Sequence, residues 1–223
     1  MIISVMNLKG GVGKSTVTQN LAVWFAHAGK KVCIGDTDNE QQTSMKWAGQ
    51  RDDDRPKIPV FGVTTAKSKA AFTTDDGKTL VANIKALHSD YDVVLLDGTP
   101  ILSELATWMI LASDIVICPI EPSPADIWSL QNVRERFEQV RSLGTEIPAY
   151  ILLNKHNSSR NLDREIEATL AQFGMPVLDA RLTYRVAYKE AMIEGVGVFE
   201  YRDAKAKEEI RQLAEEITGL AGK

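Results

Sequence analysis

With 223 residues, 44% of them hydrophobic and 25% charged, the chain is long enough for one α/β domain with a sizeable core. Its formal net charge of −4 argues against a protein that coats nucleic acid by charge alone, so any DNA contact needs a local basic patch, which dimerisation could double. No apolar run is long enough to cross a bilayer and no secretory leader precedes the first predicted strand, so we expect a cytoplasmic protein.

The two cysteines and three histidines carry no metal-site pattern. Cys33 and Cys118 lie inside apolar, strand-like runs, which indicates small core residues in a reducing compartment. There is no C-x-x-C pair, and His27, His88 and His156 are too far apart in sequence to suggest a shared metal ion.

The first chemical motif is the glycine-rich segment NLKGGVGKST, residues 7–16. It follows an apolar run at residues 2–6 and precedes a helical pattern, the order that a phosphate-binding loop requires. Glycines let consecutive backbone N–H groups converge on a polyphosphate at the positive end of the following helix. The lysine contributes a mobile cation, and the serine hydroxyl can enter the coordination sphere of Mg²⁺. The predicted nucleotide contacts are Gly10, Gly11, Val12, Gly13, Lys14, Ser15 and Thr16, with Ser15 also a metal ligand.

The loop departs from the strict G-x-x-x-x-G-K-[ST] pattern, because Leu8 replaces the first glycine and Lys9 precedes the glycine pair. This K-G-G-x-G-K-[ST] combination resembles the deviant Walker A box of the ParA/MinD family of ATPases. The resemblance implies ATP or ADP with Mg²⁺ as cofactors, Lys14 on the phosphates, and Lys9 reaching across a nucleotide-sandwiched homodimer to the partner's phosphates. The alternative is that Lys9 is a solvated loop lysine.

A second buried strand is predicted at residues 32–35 and ends in Asp36-Thr37-Asp38. The carboxyl ends of strands in α/β sheets face the ligand crevice, so both carboxylates are expected near the phosphates. By resemblance, Asp38 would position the attacking water and Asp36 would hold a Mg²⁺-bound water. The alternative is that one or both cap the helix predicted at residues 39–50.

Residues 51–78 are uninformative apart from a short strand predicted at 58–63. The leucine and valine spacing then predicts a helix at 79–88, which is followed by the segment YDVVLLD, residues 91–97. An apolar strand ending in an acid is typical of a Walker B motif, which places Asp97 beside the magnesium site. Gly98 is the expected hinge of the segment that follows, which resembles the γ-phosphate sensor of these ATPases.

Another strand is predicted at residues 115–120, and the following segment EPSPADIW opens a long helix with Ser123 as its cap. Its P-S-P-x-D motif resembles the ParF branch of partition ATPases, the small type without an N-terminal DNA-reading extension. We therefore expect one ATPase domain over residues 1–223. Trp128 is either an interface residue of the dimer or a core aromatic.

The strand predicted at residues 148–153 ends at Asn154, which by resemblance contacts the adenine edge; a turn-forming Asn is the alternative. Helices are predicted at 161–173 and 184–194, a short strand at 175–178, and an amphipathic helix at 204–220. By resemblance, basic residues of this C-terminal region bind nonspecific DNA, although a solvated face explains each one singly. The candidates are Arg185, Lys189, Arg202, Lys205, Lys207 and Arg211.

Together these elements predict an α/β fold: a P-loop NTPase three-layer α/β/α sandwich with a mostly parallel twisted sheet. The favoured function is a ParA-like ATPase that dimerises with ATP, binds DNA and positions or segregates a cargo when an adaptor protein stimulates hydrolysis. A ligase-type synthetase and a MinD-like membrane-cycling regulator are alternatives, but the acidic terminal residues argue against lipid binding. An iron–sulfur carrier would need exposed bridging cysteines.

Overall fold

The computed structural model describes residues 1–38, 41–63, 73–99, 104–157, 169–170 and 174–221, and for residues 124–129 it describes the backbone only. The strands are β1 (Ile2–Val5), β2 (Val32–Asp36), β3 (Val60–Gly62), β4 (Val93–Asp97), β5 (Ile115–Ile120) and β6 (Ala149–Leu153). The helices are α1 (Lys14–His27), α2 (Thr43–Ala48), α3 (Thr74–Leu87), α4 (Glu104–Ala112), α5 (Pro124–Ser142), α6 (Val186–Ile193) and α7 (Ala204–Ala221), with a 3₁₀ turn at Val198–Glu200 before α7.

The strands form one six-stranded sheet in the order β3-β2-β4-β1-β5-β6, and every pairing between them is parallel. Parallel pairing brings the carboxyl ends of all strands to one edge. There Asp97 lies directly opposite Val5 on one side and Asp36 on the other. The predicted α/β class is therefore confirmed, and the register alone places two acidic residues next to the start of the glycine loop.

Both faces of the sheet are covered, as a parallel sheet requires. On one face, Ile3 and Val5 belong to a buried cluster that also contains residues of α1 and α7. On the other face lie two clusters, one containing Cys33 and one containing Cys118. Both cysteines are free and buried, and desolvation raises the pKa of each thiol to about 12. They are inert core residues, as the strand pattern predicts.

The long C-terminal helix is amphipathic in the predicted way. Ile210, Leu213, Ala214 and Ile217 on α7 are fully buried, and α7 packs on α1. Within the described part of the chain, no helix combines the length and the apolarity that a membrane span requires.

Two predicted helix starts are wrong by four or five residues, each for a local reason. The helix expected at residue 39 begins at Thr43, because Asp36 holds the backbone N–H groups of the first turn there. The helix expected at residue 79 begins at Thr74, because Thr73 and Asp76 form a capping box.

The strand expected at residues 175–178 is reduced to an isolated bridge from Val177 to Ile151. The helix predicted at 161–173 falls almost entirely outside the described residues, as does the side chain of Trp128.

Candidate nucleotide-binding site

The glycine loop connects β1 to α1 at the carboxyl edge of the sheet. Gly11 and Gly13 have φ values of 79° and 95°, in the left-handed region that favours glycine. Gly13 is the N-cap of α1 and offers no side chain to the N–H groups of the first turn. A Cβ on Gly13 would lie 2.2 Å from the Asn154 amide nitrogen. No N-cap side chain therefore caps the first N–H groups of α1, and this positive end of the helix suits a phosphate group.

The loop lines a small open cleft of about 230 Å³. Gly10 and Gly11 face it, because a Cβ built on either one would meet nothing within 4 Å. Other walls come from α2, α6 and the segments after β2 and β4. The lining residues are Gly10, Gly11, Gly13, Lys14, Ser15, Thr16, Asp38, Gln41, Thr43, Gly98 and Met192.

Lys14 is folded over the loop. Its Nζ donates to the Lys9 carbonyl oxygen at 2.9 Å, and the residue is only 7% exposed. Burial lowers its pKa, and the carboxylates of Asp97 and Asp38 act in the opposite direction. The backbone N–H of Lys9 donates to Asn7 Oδ1 at 2.9 Å, which fixes the entry to the loop. The two lysines thus lie at the same turn, with the side chain of Lys9 half-buried.

Asn154 is hydrogen-bonded to the glycine loop. Its Nδ2 donates to the Val12 carbonyl oxygen at 2.7 Å, and its Oδ1 accepts the N–H of Lys155 at 2.9 Å. Its amide is therefore engaged with the protein on both atoms, and its contact with adenine stays a prediction. Lys155 has a φ of 52°, and its Nζ donates to the Gly11 carbonyl oxygen at 2.7 Å and pairs with Glu121. These two residues hold the carbonyls of Gly11 and Val12 and so stabilise the loop's turn.

Asp36 anchors α2. Its Oδ2 accepts the N–H groups of Ser44 and Met45 at 3.0 and 3.1 Å, and its Oδ1 accepts the N–H of Asp38 at 3.1 Å. Burial raises its pKa, opposed by those three N–H donors. The helix-capping alternative therefore describes the contacts of Asp36 in this structure, and its role toward a metal-bound water stays a prediction.

Asp38 lies in the cleft wall, and its role in positioning a water stays a prediction. Its Oδ1 accepts the N–H of Gln41 at 2.9 Å. The neighbouring Thr37 donates to the Asp97 carbonyl oxygen at 2.7 Å and accepts the N–H of Thr99 at 3.1 Å. The loops after β2 and β4 are therefore hydrogen-bonded to each other beside the glycine loop.

Asp97 is an almost completely buried carboxyl group at the end of β4. It is 2% exposed; Oδ2 accepts the Ser44 hydroxyl at 2.7 Å, while the buried Oδ1 has no hydrogen-bond partner among the described residues. Burial raises its pKa to about 7, with Asp36 adding to the rise, while Ser44, Ser15 and Lys14 oppose it.

A buried carboxylate oxygen without a partner, next to a serine hydroxyl and a phosphate-binding loop, fits a Mg²⁺ site. No cluster of three or more His, Cys, Asp or Glu side chains suited to a metal occurs in the described ranges. A resident ion would therefore take most of its ligands from phosphate and water, as Mg²⁺ does. Ser15 and Asp97 would be the protein groups that hold it, which stays a prediction.

Gly98 is hydrogen-bonded to the end of β1, and its role as a hinge stays a prediction. Its N–H donates to the Val5 carbonyl oxygen at 3.0 Å, and a Cβ on Gly98 would lie 2.8 Å from that oxygen. Glycine is required there by the close approach of β1, which the sequence alone does not reveal.

Sequence reasoning missed Ser44 and Lys155, both of which contact the predicted site. Lys155 directly follows Asn154 at a strand end, which was a usable signal. Ser44 lies in an ordinary helical pattern, and nothing in its local sequence indicates its partner 53 positions away.

The basic candidates near the C-terminus differ in their surroundings. Arg185 pairs with Glu209 and Asp203 at 3.0 and 3.4 Å, and Arg211 pairs with Glu208 and Glu215 at 2.5 and 2.6 Å. These carboxylates offset the positive charge that a phosphate backbone would need.

The other four candidates have weaker local partners. Lys189 lies over the Tyr184 ring and Lys207 over the Phe199 ring, at 5.2 and 6.0 Å from the ring centroids. Arg202 and Lys205 are exposed and line one shallow surface groove with Tyr184. Contact with DNA stays a prediction for all six residues.

A model of the CobQ/CobB/MinD/ParA nucleotide-binding domain matches residues 3–198, which include the glycine loop and every residue that lines the nucleotide cleft. The chain belongs to this family. The match confirms the ParA/MinD resemblance.

Two curated relatives match over nearly their full length. The maintenance of carboxysome distribution protein A of Halothiobacillus neapolitanus is 28% identical, over 96% of this chain and 95% of the relative. The chromosome-partitioning ATPase Soj of Thermus thermophilus is 27% identical, over 96% of this chain and 94% of the relative. Both similarities connect the chain with proteins that distribute or partition large cellular objects.

Solved structures show the same fold. Apo McdA of Cyanothece superposes with a TM-score of 0.83 at 16% identity, covering 97% of this chain and 98% of that one. The septum site-determining protein MinD of Pyrococcus horikoshii, complexed with Mg-ADP, gives 0.73 at 24% identity, covering 99% and 97%. The expected nucleotide cofactor is confirmed by the family model, which describes a nucleotide-binding domain, and Mg-ADP is the ligand of that MinD structure.

The raised pKa of Asp97 gives a testable pH dependence. Its folded pKa of about 7 lies above the ordinary 3.8, so the fold disfavours the ionised form and the cost grows from pH 4 to pH 7. Without Mg²⁺ and nucleotide, Asp97→Asn should be more stable than the wild type at pH 8, by up to about 4 kcal/mol at ~1.4 kcal/mol per pH unit. The advantage should vanish near pH 4. Urea unfolding at both pH values measures the difference in the free energy of unfolding. Equal stability of the two proteins at pH 8 would contradict the raised pKa of Asp97.

Proposed function

We propose that the protein is an ATPase that forms an ATP-dependent homodimer, binds nonspecific DNA in that state, and positions or segregates a cargo. An adaptor protein carries the cargo and stimulates hydrolysis. The observation that carries the proposal is the glycine loop with Lys9 and Lys14 at one turn, facing a cleft that is small and open on its outer side. The cargo is specified by the adaptor, and both a carboxysome-type body and a chromosome are consistent with the named relatives.

The residues of the site divide the chemistry of phosphoanhydride hydrolysis among them. The backbone N–H groups at the start of α1 and the Lys14 ammonium bind the phosphates, and Asp38 orients the water from the cleft wall. Bound Mg²⁺ would neutralise phosphate charge next to Ser15 and Asp97. The chain supplies mainly positioning, so we expect slow turnover alone that rises severalfold with adaptor and DNA.

A second copy of the chain is the best occupant of the outer side of the cleft. At about 230 Å³, the cleft is smaller than a typical ligand pocket, which suits a nucleotide covered by another surface. Beside it lies a groove lined by Met192, which also lines the nucleotide cleft, and by Ile193, which is 77% exposed. An exposed apolar residue next to the cleft fits a surface that is covered on association.

The alternatives fit the structure less well. A MinD-like membrane cycle needs an amphipathic anchor, but the apolar face of α7 is already buried against α1. An iron–sulfur carrier needs exposed cysteines, and Cys33 and Cys118 are buried in separate clusters. A ligase-type synthetase predicts ATP turnover that depends on a small amide donor. Measuring ATP turnover with and without such a donor tests this alternative.

The dimer proposal predicts that Lys9→Ala stays monomeric with ATP while still binding ADP, because Lys9 would act on the partner's nucleotide. Sedimentation velocity with a non-hydrolysable ATP analogue and Mg²⁺ should show a dimer for the wild type. Lys30→Ala, at an exposed position beyond the C-terminal end of α1, is the matched control and should dimerise normally. Dimerisation of Lys9→Ala at wild-type concentrations would rule out the role in trans.

The DNA proposal predicts that Arg202→Ala combined with Lys205→Ala weakens binding to duplexes of any sequence. The slope of log affinity against log salt should fall by about 0.9 for each phosphate that the variant no longer neutralises. Arg211→Ala removes a residue whose charge Glu208 and Glu215 already offset, so its effect should be small. Fluorescence anisotropy over a salt series compares the two, and an equally large decrease in affinity for both variants would refute the assignment.

A further inference from the structure

Ser44, in the first turn of α2, joins three other elements of the site. It is fully buried, and its backbone N–H donates to Asp36 Oδ2 at 3.0 Å. Its hydroxyl donates to Asp97 Oδ2 at 2.7 Å and accepts from Gln19 Nε2, on α1, at 3.2 Å. The hydroxyl therefore uses its single hydrogen on Asp97, and Gln19 fixes the direction of that hydrogen bond.

Because of this contact, the two carboxylate oxygens of Asp97 have different surroundings. Oδ2 is taken by Ser44, while Oδ1 is buried and has no partner within the described residues. A carboxylate held through one oxygen cannot rotate freely, so the direction of the other oxygen is set as well. The unpartnered oxygen is the one left for a cation.

We propose that Ser44 is a positioning residue for magnesium: it holds Asp97 so that Oδ1 serves the Mg²⁺ ion or its bound water, and it ties α2 to that carboxylate. This inference rests on the nucleotide–magnesium part of the proposed function. Outer partners of metal-site groups typically change metal affinity 10- to 100-fold when they are removed.

A merely structural role makes a different prediction. If Ser44 only satisfied a buried polar group, its loss would lower stability and leave the dependence on Mg²⁺ unchanged. Ser113 provides the matched control, because it is also buried and its hydroxyl donates to the Met109 carbonyl oxygen at 2.7 Å. It precedes β5, at the amino end of the sheet, away from the nucleotide cleft.

The test is a Mg²⁺ titration of ADP binding, followed with a fluorescent ADP analogue and EDTA-treated protein. The measured quantity is the Mg²⁺ concentration that gives half of the magnesium-dependent gain in affinity. For Ser44→Ala this concentration should rise about tenfold or more. For Ser44→Cys, which fills the space with a much weaker donor, it should rise in the same direction. Ser113→Ala should match the wild type.

The outcomes separate the inference from the function on which it rests. If magnesium does not strengthen ADP binding to the wild type, both the inference and the magnesium part of the proposed function are wrong. If the wild type responds and the Ser44 variants keep its midpoint, the inference alone is overturned. An equal shift in Ser113→Ala would also overturn it. Should Ser44→Ala fail to fold, Ser44→Cys decides the question.

Discussion

Two buried carboxylates at adjacent strand ends are the constraint on which the site depends. The parallel register of β2 and β4 places Asp36 opposite Asp97, and both are 2% exposed. Like charges brought together away from water raise each other's cost of ionisation. The fold offsets that cost unequally: Asp36 accepts three N–H groups, whereas Asp97 keeps one oxygen without a partner among the described residues. The remaining cost is what a bound cation would relieve.

The same hydrogen bonds connect the phosphate region to the surface beside it. Asp36 holds the first turn of α2, and Ser44 in that turn holds Asp97. The preceding residue, Thr43, lines both the nucleotide cleft and the groove containing Ile193, the surface that we propose meets a second copy of the chain. A change at the carboxylates therefore has a short route to the proposed dimer surface. This arrangement gives the proposed nucleotide control of association a physical basis in a few hydrogen bonds.

Sequence patterns predicted the parts of the site that are local in the chain. The glycine loop, Lys14 and Asp97 are recognisable because strand, turn and helix signals adjoin them, and the parallel sheet then brings Asp36 to Asp97. Contacts between distant segments were not predictable: Lys155 meets Gly11 across 144 positions, and Ser44 meets Asp97 across 53. The start of α3 was missed because the prediction followed the apolar spacing, whereas the capping box of Thr73 and Asp76 begins the helix five residues earlier. Asp36 was predicted to hold a metal-bound water, with helix capping as the alternative. Only the structure shows that its Oδ2 accepts two N–H groups of α2 and its Oδ1 that of Asp38.

The most direct test of the account is a crystal structure of the protein with a non-hydrolysable ATP analogue and magnesium. The account predicts a twofold dimer with the phosphates on the N-terminus of α1 and a Mg²⁺ ion about 2.1 Å from Ser15 Oγ. Asp97 should lie on that ion or on its water, and Lys9 should contact the phosphates bound by the other subunit. A monomer with the nucleotide bound, or a metal ion away from Ser15 and Asp97, would contradict it.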